Sequence, residues 1–259
     1  MDKSDKFIKL INILKELRAP DGCDWDREQT HSSLIPYLTE ETYEVIEAIE
    51  DNDSDALKEE LGDLLLHVLF QAELSSEKGE FDIFDSIESI NNKLIKRHPH
   101  VFNKDLNDKS YEKGSWEKSK KKEKKRSSFL EGVPKSLPGL LRSRRIQEKA
   151  ASVGFDWKEV DPIISKVHEE LDEVKDAINN KHQEEIEMEI GDLMFAVVNL
   201  SRFYNIDPES ALKKSTNKFI TRFNQIEKQI SDSGSSIEKS DLETMDKIWN
   251  QIKESEKNK

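Results

Sequence analysis

The chain has 259 residues, a single cysteine and a formal net charge of −13. This acidic charge argues against general binding to nucleic acid, and no apolar run is long enough to cross a bilayer. We therefore expect neither nucleic acid nor a membrane as a partner. Because Cys23 has no partner for an internal disulfide and the N-terminus lacks a signal-peptide pattern, we predict a cytoplasmic protein.

Apolar residues recur at helical spacing, and the chain has only 9 glycines and 7 prolines, which predicts an all-α protein. The first segment, "MDKSDKFIKLINILKELR", is predicted to be an amphipathic helix. Further along, "SLPGLLRSRRIQEKAASVGFDW" predicts a turn at Pro138 and Gly139, a basic helix, and a loop around Gly154.

Between these segments, the stretch from Lys104 to Ser128 contains "EKSKKKEKKRSS" and loses the apolar periodicity. A solvated linker or frayed helix end is the favoured interpretation, and local contact with nucleic acid is the alternative. We therefore predict two domains, residues 1–128 and 129–259, with the basic linker at the end of the first.

Four sequence blocks occur twice in the same order. "EETYEVIEAI" at 40–49 aligns with "EELDEVKDAI" at 169–178, and "EELGDLLLHV" at 59–68 aligns with "MEIGDLMFAV" at 188–197. The blocks "GCDW" and "GFDW" precede them, and "NKLIKR" and "NKFITR" follow them. The duplication predicts two helical-bundle domains of the same design.

Each copy places carboxylates beside a stripe of apolar residues on a helix. In the second copy, a helix over 186–199 places Glu189 and Asp192 along one border of this stripe. The predicted stripe consists of Ile186, Ile190, Leu193, Met194, Val197 and Val198. The short polar break "NNKH" predicts an antiparallel helix pair that brings Glu170 and Glu173 opposite Glu189 and Asp192.

Carboxylates that converge in this way repel one another unless a cation lies between them. An isolated acidic pair is typical of a solvated helix face, but this pattern occurs twice at the same spacing and favours a metal site. Oxygen ligands suit Mg²⁺, with Mn²⁺ as the alternative.

At these residues the chain resembles the MazG family of nucleoside triphosphate pyrophosphohydrolases, which belongs to the all-α NTP pyrophosphatases. The shared motif, E-E-x-x-E followed by E-x-x-D, is Glu40, Glu41, Glu44, Glu60 and Asp63 in the first copy, and Glu169, Glu170, Glu173, Glu189 and Asp192 in the second. The segments "RHPHVF" and "DLETMDKIW" extend the resemblance over nearly the whole chain.

The resemblance implies a four-helix module in each half, a homodimer, and Mg²⁺-dependent cleavage of NTPs and dNTPs between the α and β phosphates. It also implies a role in nucleotide-pool cleaning or in stress-linked nucleotide control. A narrower preference for dUTP, dCTP or an oxidised nucleotide is an alternative. A non-enzymatic helical module for nucleotide sensing or protein interaction is another.

Candidate site residues come from the motif and the family pattern. The predicted metal ligands are Glu170, Glu173, Glu189 and Asp192, while Glu169 is either a ligand of a further ion or the general base. The predicted substrate contacts are Lys166, Asn199, Lys218, Arg222 and Trp249. Without the resemblance, Lys218 and Arg222 are equally typical of a solvated basic face, and Trp249 of a core residue.

In the first copy, the corresponding metal ligands are Glu41, Glu44, Glu60 and Asp63, and the corresponding substrate contacts are Lys93 and Arg97. However, Phe70 stands where the second copy has Asn199, and an amide can reach a phosphate or a sugar hydroxyl whereas Phe cannot. Pro99 is also predicted to end a helix that continues in the second copy. We therefore predict that residues 129–259 form the main active half.

Overall fold

The computed structural model describes residues 3–102 and 127–257, and the chain divides into two compact units, Met1–Ser110 and Tyr111–Lys259. Every regular element in the described ranges is helical, which confirms the all-α prediction. The predicted linker lies outside the described residues from 104 to 126, so the domain boundary at residue 128 stays a prediction. No helix in the described ranges is long and apolar enough to cross a membrane.

The first unit is built around α3 and α4, which pack against each other, while α1 and α5 contact α4. Its helices are α1 (Lys3–Arg18), α2 (Asp24–Glu28), α3 (Ile35–Asp51), α4 (Ser54–Glu77), α5 (Ile83–Arg97) and α6 (Pro99–Phe102). Helix α5 ends two residues before Pro99, as predicted.

The core of the first unit lies between α1, α4 and the start of α5. Its buried side chains are Ile11, Leu14, Leu34, Leu69, Phe70, Ala72, Leu74 and Ile83. Two aspartates begin the helices that carry this core, because Asp53 accepts hydrogen bonds from backbone amides of α4 and Asp82 forms a capping box with Asp85.

The second unit repeats this design with α8 and α9 as the central pair, and α7 and α10 alongside. Its helices are α7 (Gly139–Ala151), α8 (Asp161–Asn180), α9 (Gln183–Phe203), α10 (Pro208–Asp232) and α11 (Leu242–Lys257), with a 3₁₀ turn at Ile237–Lys239. Gly139 is the first residue of α7 and not a turn residue, because Pro138 occupies the N-cap position with extended ψ.

The connection between α8 and α9 is shorter than the predicted break. Helix α8 continues through Asn180, and Lys181 then adopts a left-handed conformation with φ of 59°. In the first unit, Asn52 takes the same conformation between α3 and α4, with φ of 56°. A left-handed residue at the helix C-terminus reverses the chain within two residues and sets the antiparallel packing.

The apolar stripe predicted on α9 is only partly buried, which corrects the sequence interpretation. Val198 is buried, but Ile190, Met194 and Val197 are exposed. The buried face includes Ala196 and Asn199, because this side of α9 packs against α7 and α8. A second cluster joins α10 and α11 through Ile226, Ile230 and Ile252, with Met245, Ile248 and Trp249 packed against it.

Candidate active site

Carboxylates from α8 and α9 meet between these two helices of the second unit. One oxygen atom from each of Glu170, Glu173 and Glu189 lies within 4.8 Å of the others. Asp192, the fourth predicted ligand, is not in this group but lines the cavity next to it. The antiparallel packing of α8 and α9 therefore brings three predicted ligands together and places the fourth close by.

The carboxylates carry charge that their surroundings do not fully compensate. A hydrogen bond shared with Glu170 is the main cause that raises the pKa of Glu173, followed by burial and by the charges of Glu170 and Glu189. Lys166 offsets part of this charge, since its Nζ lies 2.8 Å from Oε1 of Glu169 and 2.6 Å from Oε1 of Glu170. These two hydrogen bonds raise the pKa of Lys166.

This donor set fits a hard divalent cation. The clustered atoms are all carboxylate oxygens, and Glu170 is only 6% exposed, so water compensates its charge poorly. Mg²⁺ and Mn²⁺ prefer oxygen ligands, whereas zinc sites usually contain histidine or cysteine. The residues present therefore match the metal chemistry that the sequence predicts.

A cavity of about 580 Å³ opens directly beside the carboxylates. Lys166, Glu170 and Asp192 line it on the acidic side, and Trp157 and Phe195 contribute aromatic surface. Helices α7, α8 and α9 and the loop from Gly154 to Trp157 form its walls. Cavities of this size and mixed lining are typical of small-molecule sites.

A polar network supports one wall of this cavity. The Oδ1 of Asn199 accepts hydrogen bonds from Arg202, at 3.1 Å from Nε and 2.7 Å from Nη2. Arg202 also forms a two-pronged ion pair with Asp156, with Nη1–Oδ2 and Nη2–Oδ1 distances of 3.0 and 2.5 Å. The network ties α9 to the loop that carries Trp157.

Three predicted substrate contacts lie elsewhere in the second unit. Arg222 pairs with Glu256, at 2.6 Å between Nη2 and Oε2, and its guanidinium lies 5.2 Å from the ring centroid of Trp249. Trp249 packs on the cluster between α10 and α11, and Lys218 is exposed on α10. Of the described residues that line the cavity, none is Lys218, Arg222 or Trp249, so their roles stay predictions.

The first unit has a related acidic cluster. Oxygen atoms of Glu41, Glu60 and Asp63 lie within 4.8 Å of one another. Burial is the main cause that raises the pKa of Glu41 and of Glu60, and the negative charges of Glu44 and Asp63 add to it. All four predicted acidic residues of this copy therefore interact.

Aromatic rings occupy the space beside this cluster. Trp25 meets Tyr37 edge-on with centroids 5.8 Å apart, and Tyr37 stacks on His67 at 6.4 Å. When the two copies are aligned, Tyr37 of the first corresponds to Lys166 of the second, and His67 corresponds to Ala196. Burial lowers the pKa of His67, so this ring is neutral near pH 7.

Comparison with known proteins supports the duplicated design. A model of the MazG nucleotide pyrophosphohydrolase domain matches the chain twice, at residues 29–102 and 159–226. The chain belongs to the MazG family. Each match includes one of the two acidic helix pairs.

Several curated proteins resemble this MazG chain over its length. The nucleoside triphosphate pyrophosphohydrolase/pyrophosphatase MazG of Thermotoga maritima is 48% identical, over 95% of both chains. The nucleoside triphosphate pyrophosphohydrolase of Escherichia coli K12 is 43% identical, over 97% of this chain and 98% of its own. That of Mycobacterium tuberculosis is 33% identical, over 59% of this chain and 47% of its own.

Some residues around the cavity of this MazG chain were not predicted from sequence: Gln147, Phe155, Asp156 and Arg202. One signal for Arg202 exists in the repeat, where the corresponding residue of the first copy is Glu73, a reversal of charge. Gln147 lies in the basic helix α7, outside the four aligned blocks, so the repeat carries no comparable signal for it.

Proposed function

We propose that this enzyme hydrolyses nucleoside triphosphates, both ribo and deoxyribo, between the α and β phosphates, to give a nucleoside monophosphate and pyrophosphate. The observation that carries the proposal is the cavity of about 580 Å³ in the second unit, which borders an acidic cluster suited to Mg²⁺. The names of the full-length relatives support the same activity.

In this proposal, Glu170, Glu173, Glu189 and Asp192 hold the metal. Bound Mg²⁺ supplies positive charge for the phosphate oxygens and lowers the pKa of an attacking water. The carboxylates orient the metal side of the site, because α8 and α9 fix them on facing helices. Mn²⁺ is the alternative ion, since it prefers the same oxygen ligands.

Two neighbouring side chains supply the remaining polar chemistry. Lys166 lies at the border between the acidic cluster and the cavity, where its ammonium can donate to phosphate oxygens. Glu169 is half-exposed and hydrogen-bonded to Lys166, next to the acidic cluster, and in this proposal it accepts a proton from the attacking water or binds a further ion. Asn199 donates to the substrate through Nδ2 in this proposal, which is supported by the hydrogen bonds that Arg202 already donates to its Oδ1.

The family pattern adds two further elements to the proposal. Lys218, Arg222 and Trp249 contact the substrate, and two chains form a homodimer. The exposed apolar side chains Ile190, Met194 and Val197 support the dimer, because a second chain that covers them removes apolar surface from water. The proposed setting is the cytoplasm, in nucleotide-pool cleaning or stress-linked nucleotide control.

A direct test incubates the pure protein with each NTP and dNTP, with Mg²⁺ or with EDTA, and separates the nucleotide and phosphate products. We expect monophosphate and pyrophosphate with Mg²⁺ and no product with EDTA. The Asp192→Asn variant should lose the activity, whereas the matched Asp63→Asn variant should keep it. A diphosphate product would overturn the cleavage position, and no cleavage of any nucleotide would favour a sensing or interaction module.

A further inference from the structure

Phe155 places an exposed aromatic ring at the cavity of the second unit. Among the large apolar side chains of the described residues it has the highest exposure, 82%, and it lines the cavity together with Trp157. Single exposed apolar residues are common on protein surfaces, so exposure alone indicates no ligand. The position of this ring sets it apart, because the same cavity borders the acidic cluster.

The backbone holds Phe155 in this position. The chain leaves α7 through a Schellman motif, in which the amide of Gly154 donates to the oxygen of Ala151 at 3.0 Å and that of Phe155 donates to the oxygen of Ala150 at 3.1 Å. Gly154 supplies the positive φ that this motif requires, 92°. An apolar residue after the glycine often packs back onto its own helix in such motifs, but the Phe155 ring leaves most of its surface exposed.

The next residue ties the loop to α9. Asp156 forms the two-pronged ion pair with Arg202, so the backbone is anchored on both sides of Phe155. A ring on an anchored backbone loses less conformational entropy when a ligand covers it than a ring on a mobile loop does. The Phe155 ring is therefore exposed and also prepared for contact with a ligand.

The two copies differ at this position. When "GCDW" and "GFDW" are aligned, Cys23 corresponds to Phe155, and Trp25 corresponds to Trp157. Both copies therefore have the tryptophan, whereas the aromatic ring two residues before it occurs in the copy with the cavity of about 580 Å³ and not in the other. This difference links the ring to the cavity and not to a feature that the copies share.

The cavity lining suits both ends of a nucleotide. Lys166, Glu170 and Asp192 suit a triphosphate with its metal ion. Phe155 and Trp157 suit the other end, because the flat faces of a nucleobase stack on aromatic rings. One nucleotide can therefore contact the charged and the aromatic groups of the cavity at the same time.

We propose that the Phe155 ring stacks on one face of the substrate's nucleobase and covers it on the open side of the cavity. This inference rests on the proposed function and names a binding residue of the same site. Every base has such a face, so the contact does not select one base over another. It favours a nucleotide over a triphosphate that carries no base.

The test measures equilibrium binding of two non-hydrolysable ligands in the presence of Mg²⁺. These are α,β-methylene-ATP and the α,β-methylene triphosphate of ribose, which differ by the base alone. Phe155→Ala should weaken binding of the nucleotide about tenfold and change binding of the ribose ligand by less than about twofold. Unchanged binding of the nucleotide, or an equal loss for both ligands, would overturn the proposal.

Further variants at the same position separate stacking from general apolar cover. Phe155→Trp keeps a flat ring and should keep the preference for the nucleotide, whereas Phe155→Leu keeps an apolar side chain without a ring and should lose most of it. Full retention of the preference in Phe155→Leu would contradict stacking. Because the ring is 82% exposed, none of these changes removes much packing, and the variants should fold normally.

Two variants elsewhere in the second unit serve as comparisons. Tyr204→Ala is the matched control, because Tyr204 is also an exposed aromatic residue but is not among the described residues that line the cavity. It should keep the full preference for the nucleotide. Loss of the preference in Trp249→Ala, together with its retention in Phe155→Ala, would overturn the proposal and place the base at the cluster between α10 and α11.

A second copy of the chain is the other possible cover for this ring. Sedimentation of the Phe155→Ala variant at the assay concentration tests it. Dissociation of an oligomer together with an equal loss for both ligands would assign the ring to a contact between copies and overturn the proposal.

The binding assay also separates this inference from the proposed reaction. A preference for the nucleotide that disappears in Phe155→Ala, in a protein that cleaves no triphosphate, would contradict the reaction and support the stacking. Cleavage to monophosphate and pyrophosphate, with nucleotide binding that is the same in Phe155→Ala, would support the reaction and contradict the stacking.

Discussion

The same acidic pattern borders a cavity of about 580 Å³ in the second unit and a group of packed aromatic rings in the first. The carboxylates themselves differ little, since each unit gathers three of them within 4.8 Å. The differences lie one helical turn away, where Tyr37 and His67 take the places of Lys166 and Ala196. The clustered carboxylates alone therefore do not distinguish the two copies, but the residues beside them do.

A second difference concerns how each unit anchors the loop next to its cluster. In the second unit, Arg202 on α9 pairs with Asp156 of the loop. In the first unit, Arg18 on α1 instead connects helices, because it pairs with Glu77 of α4 and donates to the backbone oxygen of Asp26 in α2. The Arg18 guanidinium also lies 5.2 Å from the Phe70 ring centroid, which adds to the packing on this side.

The largest expected effect compares one metal ligand with its repeat partner. Glu170→Gln removes a buried carboxylate charge from the proposed metal site and should lower kcat/KM for triphosphate hydrolysis on the order of a thousandfold. Glu41→Gln, the same change in the first unit, should leave kcat/KM within about twofold. Steady-state kinetics with pyrophosphate detection measures both, and a comparable loss in the two variants would show that both units contribute.

Exchange of one residue between the copies tests the cavity directly. Asn199→Phe introduces the Phe70 side chain of the first unit, fills the cavity wall and should raise KM roughly tenfold or more. The reverse change, Phe70→Asn, buries an amide in the first core and should cost about 2–4 kcal/mol of stability in that unit. Activity should survive it below the unfolding temperature. An unchanged KM in Asn199→Phe would mean that substrate does not enter this cavity.

A smaller effect is expected from the loop anchor. Asp156→Asn weakens the ion pair with Arg202 but leaves the hydrogen bonds from Arg202 to Asn199. The loop with Trp157 should become more mobile, so KM should rise about threefold to tenfold while kcat changes little. Asp24→Asn changes the aligned residue of the first unit, which begins α2 and forms an exposed ion pair with Arg27, and serves as the control.

The smallest effect concerns stability and pH. The pKa of Glu173 is raised above its ordinary value of 4.5 in the folded chain, so folding favours the protonated form. Its cost to stability is therefore present above the raised pKa and disappears as the pH falls below about 4.5. Glu173→Gln should raise the Tm of the metal-free protein at pH 7, on the order of 1 °C, and this gain should vanish in acid.

Thermal unfolding in EDTA from pH 4 to pH 8 measures this dependence. Added Mg²⁺ should reverse the order at pH 7, because it stabilises the protein with Glu173 more than the variant that lacks this ligand. A gain in Tm that stays constant with pH would assign the effect of the substitution to packing and not to charge.

Prediction from sequence succeeded where periodicity and repetition determine the structure. The spacing of apolar and acidic residues along the chain predicts the acidic helices and their antiparallel packing. The repeated sequence blocks predict the duplication. The prediction was weaker where a position depends on packing between distant segments: Met194 and Val197 belong to a regular apolar stripe, yet they are exposed. Gln147 reaches the cavity from α7, 48 residues before the backbone oxygen that it contacts, and no local pattern reveals such a contact.

The left-handed residues Asn52 and Lys181 impose a constraint on loop length. Each reverses the chain in a two-residue connection between the helices that carry the carboxylates. Insertion of one residue into either connection would shift one helix of the pair against the other and separate carboxylates that now lie within 4.8 Å. Surface loops usually tolerate insertion, but these two should tolerate neither a change of length nor a β-branched residue at the left-handed position.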